Sequence, residues 1–177
     1  TFVRDLMLEN DALTASGGVE LRSDNSQARI EAKLNDIAVV LPQYSGPITI
    51  KAEADQDSRG WTVDAVTDGP YGAQLTAKGL ATGENALLNF TADVPELRDF
   101  VPEAPVEGPV SLAGVLRQSP DGWQVDTKAT APEDVTATVE GLLTPLDLDF
   151  TASIPRVEAF TPQVTGAVEA SGTLKQL

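Results

Sequence analysis

The chain contains no cysteine and no histidine. Without cysteine, disulfides, thiolate metal sites and thiol nucleophiles are excluded. Without histidine, the usual general base and the commonest transition-metal ligand are gone as well. Aromatics are scarce, with two Trp, two Tyr and five Phe in 177 residues. Any core must therefore be built from the small and aliphatic residues that supply most of the 41 % apolar content. Positive charge is sparse too: 12 Lys and Arg stand against 27 Asp and Glu, a net charge of −15. That balance repels nucleic acid and anionic headgroups, and no basic cluster offers a membrane-docking patch. The acidity instead keeps an apolar-rich chain in solution. No apolar run approaches the roughly 18 residues a spanning helix requires, and no signal peptide is visible. The opening "TFVRDLMLEN" lacks an initiator Met and starts in mid-pattern, so the sequence reads as a piece of a longer array.

What is present is repetition. Both tryptophans sit in one phrase, "DSRGWTVD" at 57–64 and "SPDGWQVD" at 119–126. "GPITI…GWTVD" (46–64) returns as "GPVSL…GWQVD" (108–126), and "FTADVPELRDFVP" (90–102) as "FTASIPRVEAFTP" (150–162). "EGPVSLAGVLRQ" (107–118) returns as "TGAVEASGTLKQ" (165–176). Rare residues thus recur in order: Phe90 with Phe150, Phe100 with Phe160, Pro95 with Pro155, Pro102 with Pro162. Such self-similarity signals a repeat architecture. The units are 1–45 (partial), 46–107 and 108–165, with 166–177 opening a fourth.

Inside each unit the hydrophobic period is two, the mark of half-buried strands. Leu146, Leu148, Phe150, Ala152 and Ile154 share one face of "LDLDFTASI", with Asp147, Asp149, Thr151 and Ser153 on the other. Trp123, Val125, Thr127 and Ala129, then Val135, Ala137 and Val139, follow the same scheme, as do Trp61, Val63, Ala65, Leu75 and Ala77. Leu88, Phe90, Val110 and Leu112 extend it. Turn signals separate the runs: "PDG" (120–122), "DGPYG" (68–72), "TGEN" (82–85), "APED" (131–134) and "TP" (144–145), in which Pro presets φ and Gly accepts positive φ. None of the twelve prolines needs to interrupt a strand. The alternation stops at "DIAVVLPQYSGP" (36–47), "PELRDFVPEAPVEGP" (95–109) and "PRVEAFTPQVTG" (155–166). These are expected to be short connectors of one helical turn, crossing from one sheet edge to the other. Each unit is then about four strands with one apolar face. A second sheet must cover that face, or the sheet must curl, or a guest must fill it.

The phrases "LNDIAVVLPQYSGPITIKA" (34–52) and "GWTVDAVTDGPYGAQLTAKG" (60–79) together resemble the repeats of the TamB family of translocation and assembly module proteins, within the AsmA-like, repeating β-groove group. The resemblance covers essentially the whole chain. It implies an all-β fold: an elongated antiparallel sheet curled into a U-shaped groove with an apolar concave lining. It also implies a periplasmic setting, as part of a protein anchored in the inner membrane. The role implied is carriage of phospholipids toward the outer membrane, beside a TamA-like outer-membrane barrel. On this reading Val63, Ala65, Leu75, Ala77, Leu88, Phe90, Val110, Leu112, Val125, Val135, Val139, Leu146, Leu148, Phe150 and Ile154 line the groove. No cofactor or metal is called for, and the chain is not an enzyme.

Other readings stay open. The same alternation suits a closed β-sandwich of a surface protein that packs its own core, or a scaffold that assists outer-membrane protein assembly by pairing a strand at its edge. Trp61 and Trp123 suit structural anchors after a tight turn, or members of the lining. The acidic pairs Asp147/Asp149 and Asp64/Asp68 lack the Gly-bearing loop of a Ca²⁺ site and read as a solvated face. No nucleophile elbow, phosphate loop or dinucleotide fingerprint occurs. Exposed sheet edges predict self-association.

Overall fold

The computed structural model describes residues 2–22, 25–82, 85–104, 107–161 and 163–176. It is all-β. The strands are β1 (Phe2–Glu9), β2 (Leu13–Glu20), β3 (Ser26–Leu34), β4 (Ile48–Asp57), β5 (Gly60–Asp68) and β6 (Gln74–Leu80), then β7 (Leu87–Val94), β8 (Val110–Ser119), β9 (Gly122–Ala131), β10 (Val135–Leu143), β11 (Leu146–Ile154) and β12 (Val168–Lys175). They form one twelve-stranded sheet in which spatial order follows chain order from β1 to β12. Among the described residues the only helices are single 3-10 turns, so no helix is long and apolar enough to cross a membrane. Two compact parts make up the chain, residues 1–90 and 91–177, the division falling within β7. Each is treated by itself below.

Tight turns set the strand pairing. The β4–β5 and β8–β9 hairpins close with Asp57 opposite Gly60 and Ser119 opposite Gly122. Gly60 and Gly122 have φ of 134° and 129°, a region that L side chains rarely adopt. A Cβ there would also run into the carbonyl oxygens of Thr82 and Thr144 respectively. The rare tryptophans follow these glycines because the turn and the strand start recur together, Trp61 opposite Gln56 and Trp123 opposite Gln118. The prolines in the described residues all lie outside strands, which keeps the ladders free of missing donors. Two residues of the "TGEN" turn, 83 and 84, lie outside the described residues, as do Pro105 and Pro162.

The connectors hold the expected helical turn, at Ile37–Val39, Leu97–Asp99 and Val157–Ala159. They do not cross the sheet. Each joins strands that are direct neighbours: β3 to β4, β7 to β8, β11 to β12. The physical reason is local closure. The turn's first amide donates to the carbonyl of a glycine about ten residues on: Ile37 to Gly46 at 2.8 Å, Leu97 to Gly108 at 2.9 Å, Val157 to Gly166 at 2.9 Å. Those glycines share φ values of 116°, 116° and 117°. A carboxylate staples two of the loops from inside. Asp36 Oδ1 accepts from Ala38 N and Gly46 N, both at 3.0 Å, and Glu96 Oε1 accepts from Arg98 N and Gly108 N. In the third, Glu158 Oε2 accepts from Gly166 N at 3.2 Å. A loop folded back on itself returns the chain beside the strand it left.

Among the described residues no sealed core forms. The chain exposes 11515 Å², whereas a compact monomer of its 18.6 kDa would expose about 8,200 Å². Among the described residues the buried apolar side chains are small or cyclic: Ala86, Ala104 and Pro70. A sandwich requires two facing sheets, and all twelve strands belong to one.

Candidate functional site

In the first part, register brings apolar residues into transverse rows. Leu6 lies opposite Gly17, then Ile30, Ala52, Ala65 and Ala77 follow from strand to strand. The next row runs Leu8, Ala15, Ala32, Ile50, Thr67, Leu75, and another Val19, Ala28, Ala54, Val63, Gly79. The opposite face of the same strands carries the charges. There Arg29 pairs with Glu53 at 3.1 Å, Lys51 with Glu31 at 3.7 Å and Lys78 with Asp64 at 2.5 Å. The side-chain hydrogen bond and charge of Asp64 raise the Lys78 pKa above its ordinary value. One face is dressed for water. The other leaves large apolar side chains open: Ile30 is 54 % exposed and Leu75 45 %.

The second part repeats the division. Its apolar rows are Leu112, Ala129, Ala137, Ala152, Ala170; then Gly114, Thr127, Val139, Phe150, Gly172; then Leu116, Val125, Gly141, Leu148, Leu174. Phe150 is 43 % exposed. Its ring lies across Gly172, where any Cβ would strike it. Thr127 is the odd member, because its Oγ1 is buried with no hydrogen-bond partner.

Every residue expected to line a groove falls on these faces. Val63, Ala65, Leu75 and Ala77 are placed by the β5–β6 register. Leu88 stands opposite Gly79, its Cα 3.1 Å from where a Cβ on that glycine would lie, and Phe90 follows two residues on. Val110 and Leu112 share the face of β8, and Val125 that of β9. Val135 and Val139 share it on β10, and Leu146, Leu148, Phe150 and Ile154 on β11. Sequence reasoning missed Ile30, Ala52, Ala54 and Ile50 on β3 and β4, although "ARIEAKL" (28–34) alternates as plainly as the stretches it used. Trp61 and Trp123 lie at strand starts, half-buried, on the same side as Val63 and Val125.

A recurring glycine also went unread. Gly17, Gly79 and Gly141 lie 62 residues apart on β2, β6 and β10, on the apolar face. At each, a Cβ would collide with a carbonyl oxygen of the following strand, that of Arg29, Leu87 or Asp147. Glycine inside a strand marks such close backbone approach. It also leaves the face bare at each of these three points.

The acidic pairs are engaged on the polar face. Asp147 pairs with Lys175 at 3.1 Å, and Asp149 accepts from Thr173 at 2.7 Å. Asp64 holds Lys78, and Asp68 accepts from Gln74 at 3.0 Å. Among the described residues no group of three or more carboxylates is placed to hold a metal ion.

What these features define is a class: a one-layer antiparallel β protein whose strands keep one uncovered face of small apolar side chains and one face of ion pairs. No family model, curated protein or solved structure matches the chain.

Proposed function

We propose that the chain is a non-enzymatic segment of a lipid-carrying β-groove, holding phospholipid acyl chains against its apolar faces. The setting proposed is the periplasm, in a protein anchored in the inner membrane and working with a TamA-like barrel of the outer membrane. The observation that carries this reading is an apolar face without a cover. Large side chains such as Ile30, Ile50, Leu75 and Phe150 keep 40 % or more of their surface exposed. Water is a poor neighbour for such a surface, and patches of this kind mark interaction sites. The resemblance to the TamB family supplies the guest. Burying a CH₂ is worth about 0.8 kcal/mol, so an acyl chain of roughly sixteen carbons gains on the order of 10 kcal/mol when fully enclosed. A sheet touching one side gives a fraction of that, enough to hold a chain and little enough to release it. Repeated Ala, Val, Leu and Gly offer no step deep enough to trap it.

Photoreactive residues at Leu148 and Val125, compared with Asp149 and Asp126 beside them, test the reading. Phospholipid adducts from the first pair and none from the second are expected. Equal labelling on both faces, or adducts only to a barrel polypeptide at the edge strands, would overturn it. The barrel result would favour an assembly scaffold instead.

A further inference from the structure

In the first part, the β3–β4 connector and the Pro70–Gly72 turn between β5 and β6 meet at one rim of the sheet. Pro70 packs against Gly46, where a Cβ would lie 3.1 Å from the proline ring, and the hydroxyls of Ser45 and Tyr71 are 3.3 Å apart. In the second part Pro132 packs against Gly108 in the same way, at 3.0 Å. The two closures are alike. The side chains they present are not. Residues 37–50 and 69–77 contain no Asp, Glu, Lys or Arg. The equivalent stretches of the second part carry Arg98, Asp99, Glu103 and Glu107, then Glu133 and Asp134. There Arg156 pairs with Glu133 at 2.7 Å. Counted from the start of each connector turn, Val39 stands where Asp99 does. Counted from the packed proline, Tyr71 stands where Glu133 does.

This uncharged rim is open. Val39 and Val40 are each 66 % exposed, Leu41 41 % and Tyr71 43 %. Connector closure does not require them, since the second part closes with Asp99 and Glu133 in those places. Tyr71 also has a φ of 57°, and Glu133 one of 63°, left-handed values that are uncommon for bulky residues. The turn fixes that backbone in both parts, and the first part sets an aromatic side chain on it. The exposure does not arise at a sheet edge, because β3 to β6 each have a neighbour on both sides.

We propose that this rim docks on a lipid bilayer with zwitterionic headgroups. Val39, Val40 and Leu41 enter the acyl boundary, and Tyr71 lies at headgroup level. Size favours a bilayer over a protein partner. Four side chains offer on the order of a few hundred Å², short of the roughly 800 Å² per partner that stable protein interfaces bury. A bilayer accepts a small apolar element, and tyrosines favour its boundary with water. Charge selects the headgroup. The net charge of −15 opposes an anionic surface, whereas a zwitterionic one leaves the uncharged rim free to enter. One charge neighbours the rim, Asp11 of the β1–β2 turn, whose carbonyl accepts from Asn35 Nδ2 at 3.0 Å, and it adds to the same preference. The proposal does not rest on acyl chains occupying the apolar face.

Flotation of the 177-residue chain with phosphatidylcholine vesicles tests it. The unsubstituted chain is expected to rise with the vesicles, and replacing part of the lipid by phosphatidylglycerol lowers the bound fraction. Val39→Asp with Tyr71→Glu copies two residues of the second part, and should cut the bound fraction about tenfold or more with an unchanged far-UV circular dichroism spectrum. Val125→Glu, on the apolar face of the second part, should float as the unsubstituted chain does. Because the chain has no cysteine, Val40→Cys and Glu103→Cys each carry a single polarity-sensitive dye. Vesicles should blue-shift the dye at position 40 and leave the one at position 103 unchanged. A chain that stays in the aqueous fraction would overturn the proposal, as would a double variant that floats undiminished or a dye at position 40 that does not respond. So would binding that rises with phosphatidylglycerol. A Val125→Glu chain that no longer floats would overturn it too, by placing the contact on the apolar face.

Discussion

The same transverse row on the polar face reads differently in the two parts. In the first it runs Arg29, Glu53, Asp64, Lys78, and the signs pair off, with Arg29 on Glu53 and Lys78 on Asp64. In the second the corresponding row is Val115, Asp126, Glu140, Asp149. Three carboxylates stand side by side. Among the described residues neither Asp126 nor Glu140 has an ion-pair partner, and Asp149 is met only by the Thr173 hydroxyl. On the opposite face the rows of both parts stay small or aliphatic, Thr67, Thr127 and Phe150 apart, and share one glycine position, Gly79 and Gly141, while Gly114 stands where the first part has Ala52. The outward face has drifted while the uncovered apolar face has kept its pattern.

The largest expected effect comes from breaking the feature that the parts share. Gly141→Ala and Gly79→Ala each force a Cβ into a carbonyl oxygen at φ of 135° and 145°. Each should destabilise its own part by at least about 2 kcal/mol, seen as a lowered urea midpoint. A loss at only one site would show that the two glycines are not equivalent. Next comes Thr127, whose counterpart in the first part is Ala65. Thr127→Val removes a buried hydroxyl without a partner and should raise stability by about 1 kcal/mol, whereas Ala65→Thr should lower it.

Smaller again is the charge row. Glu140→Lys copies Lys78 into the second part and should stabilise it by roughly 0.5 kcal/mol at low salt, an effect that fades as ionic strength rises. Lys78→Glu should do the opposite in the first part. Smallest is the pH response of the connectors. Asp36 is held below its ordinary pKa by amide donors, Ala38 first and then Gly46, and Glu96 by Gly108 and then Arg98. Glu158 is lowered by its own amide and by that of Gly166. A carboxylate with a lowered pKa in the folded state contributes stability above its unfolded pKa. That contribution is lost as pH falls through the lowered value. The amide shifts of Gly46, Gly108 and Gly166 should therefore titrate with midpoints below those of ordinary Asp and Glu carboxyls. Midpoints at ordinary carboxylate values would show that the staples are not formed in solution.

Much of this was legible from residue order. Alternation such as Leu146, Leu148, Phe150 against Asp147 and Asp149 named both the strands and their apolar side, and Pro-Asp-Gly marked the β8–β9 turn. The connector turns announced themselves through prolines and lost alternation. Their path did not, because a segment of that length can reach a neighbouring strand or a distant edge. Only the amide of Leu97 reaching the Gly108 carbonyl, a contact invisible in sequence, decides between them. Gly17, Gly79 and Gly141 were visible at constant spacing, yet a lone glycine in a strand reads first as a weak point. Whether the apolar face is covered cannot be read from period two at all, since an open sheet and a sandwich half share that pattern.

The central claim is that the uncovered apolar face holds acyl chains. Native mass spectrometry after incubation with phospholipid vesicles measures this directly, on the unsubstituted chain and on Val125→Glu and Glu140→Lys. An acyl-carrying face gives lipid-bound mass above 18.6 kDa for the unsubstituted chain and for Glu140→Lys, and bare protein for Val125→Glu. Bare protein throughout, or lipid retained equally by Val125→Glu, would contradict it.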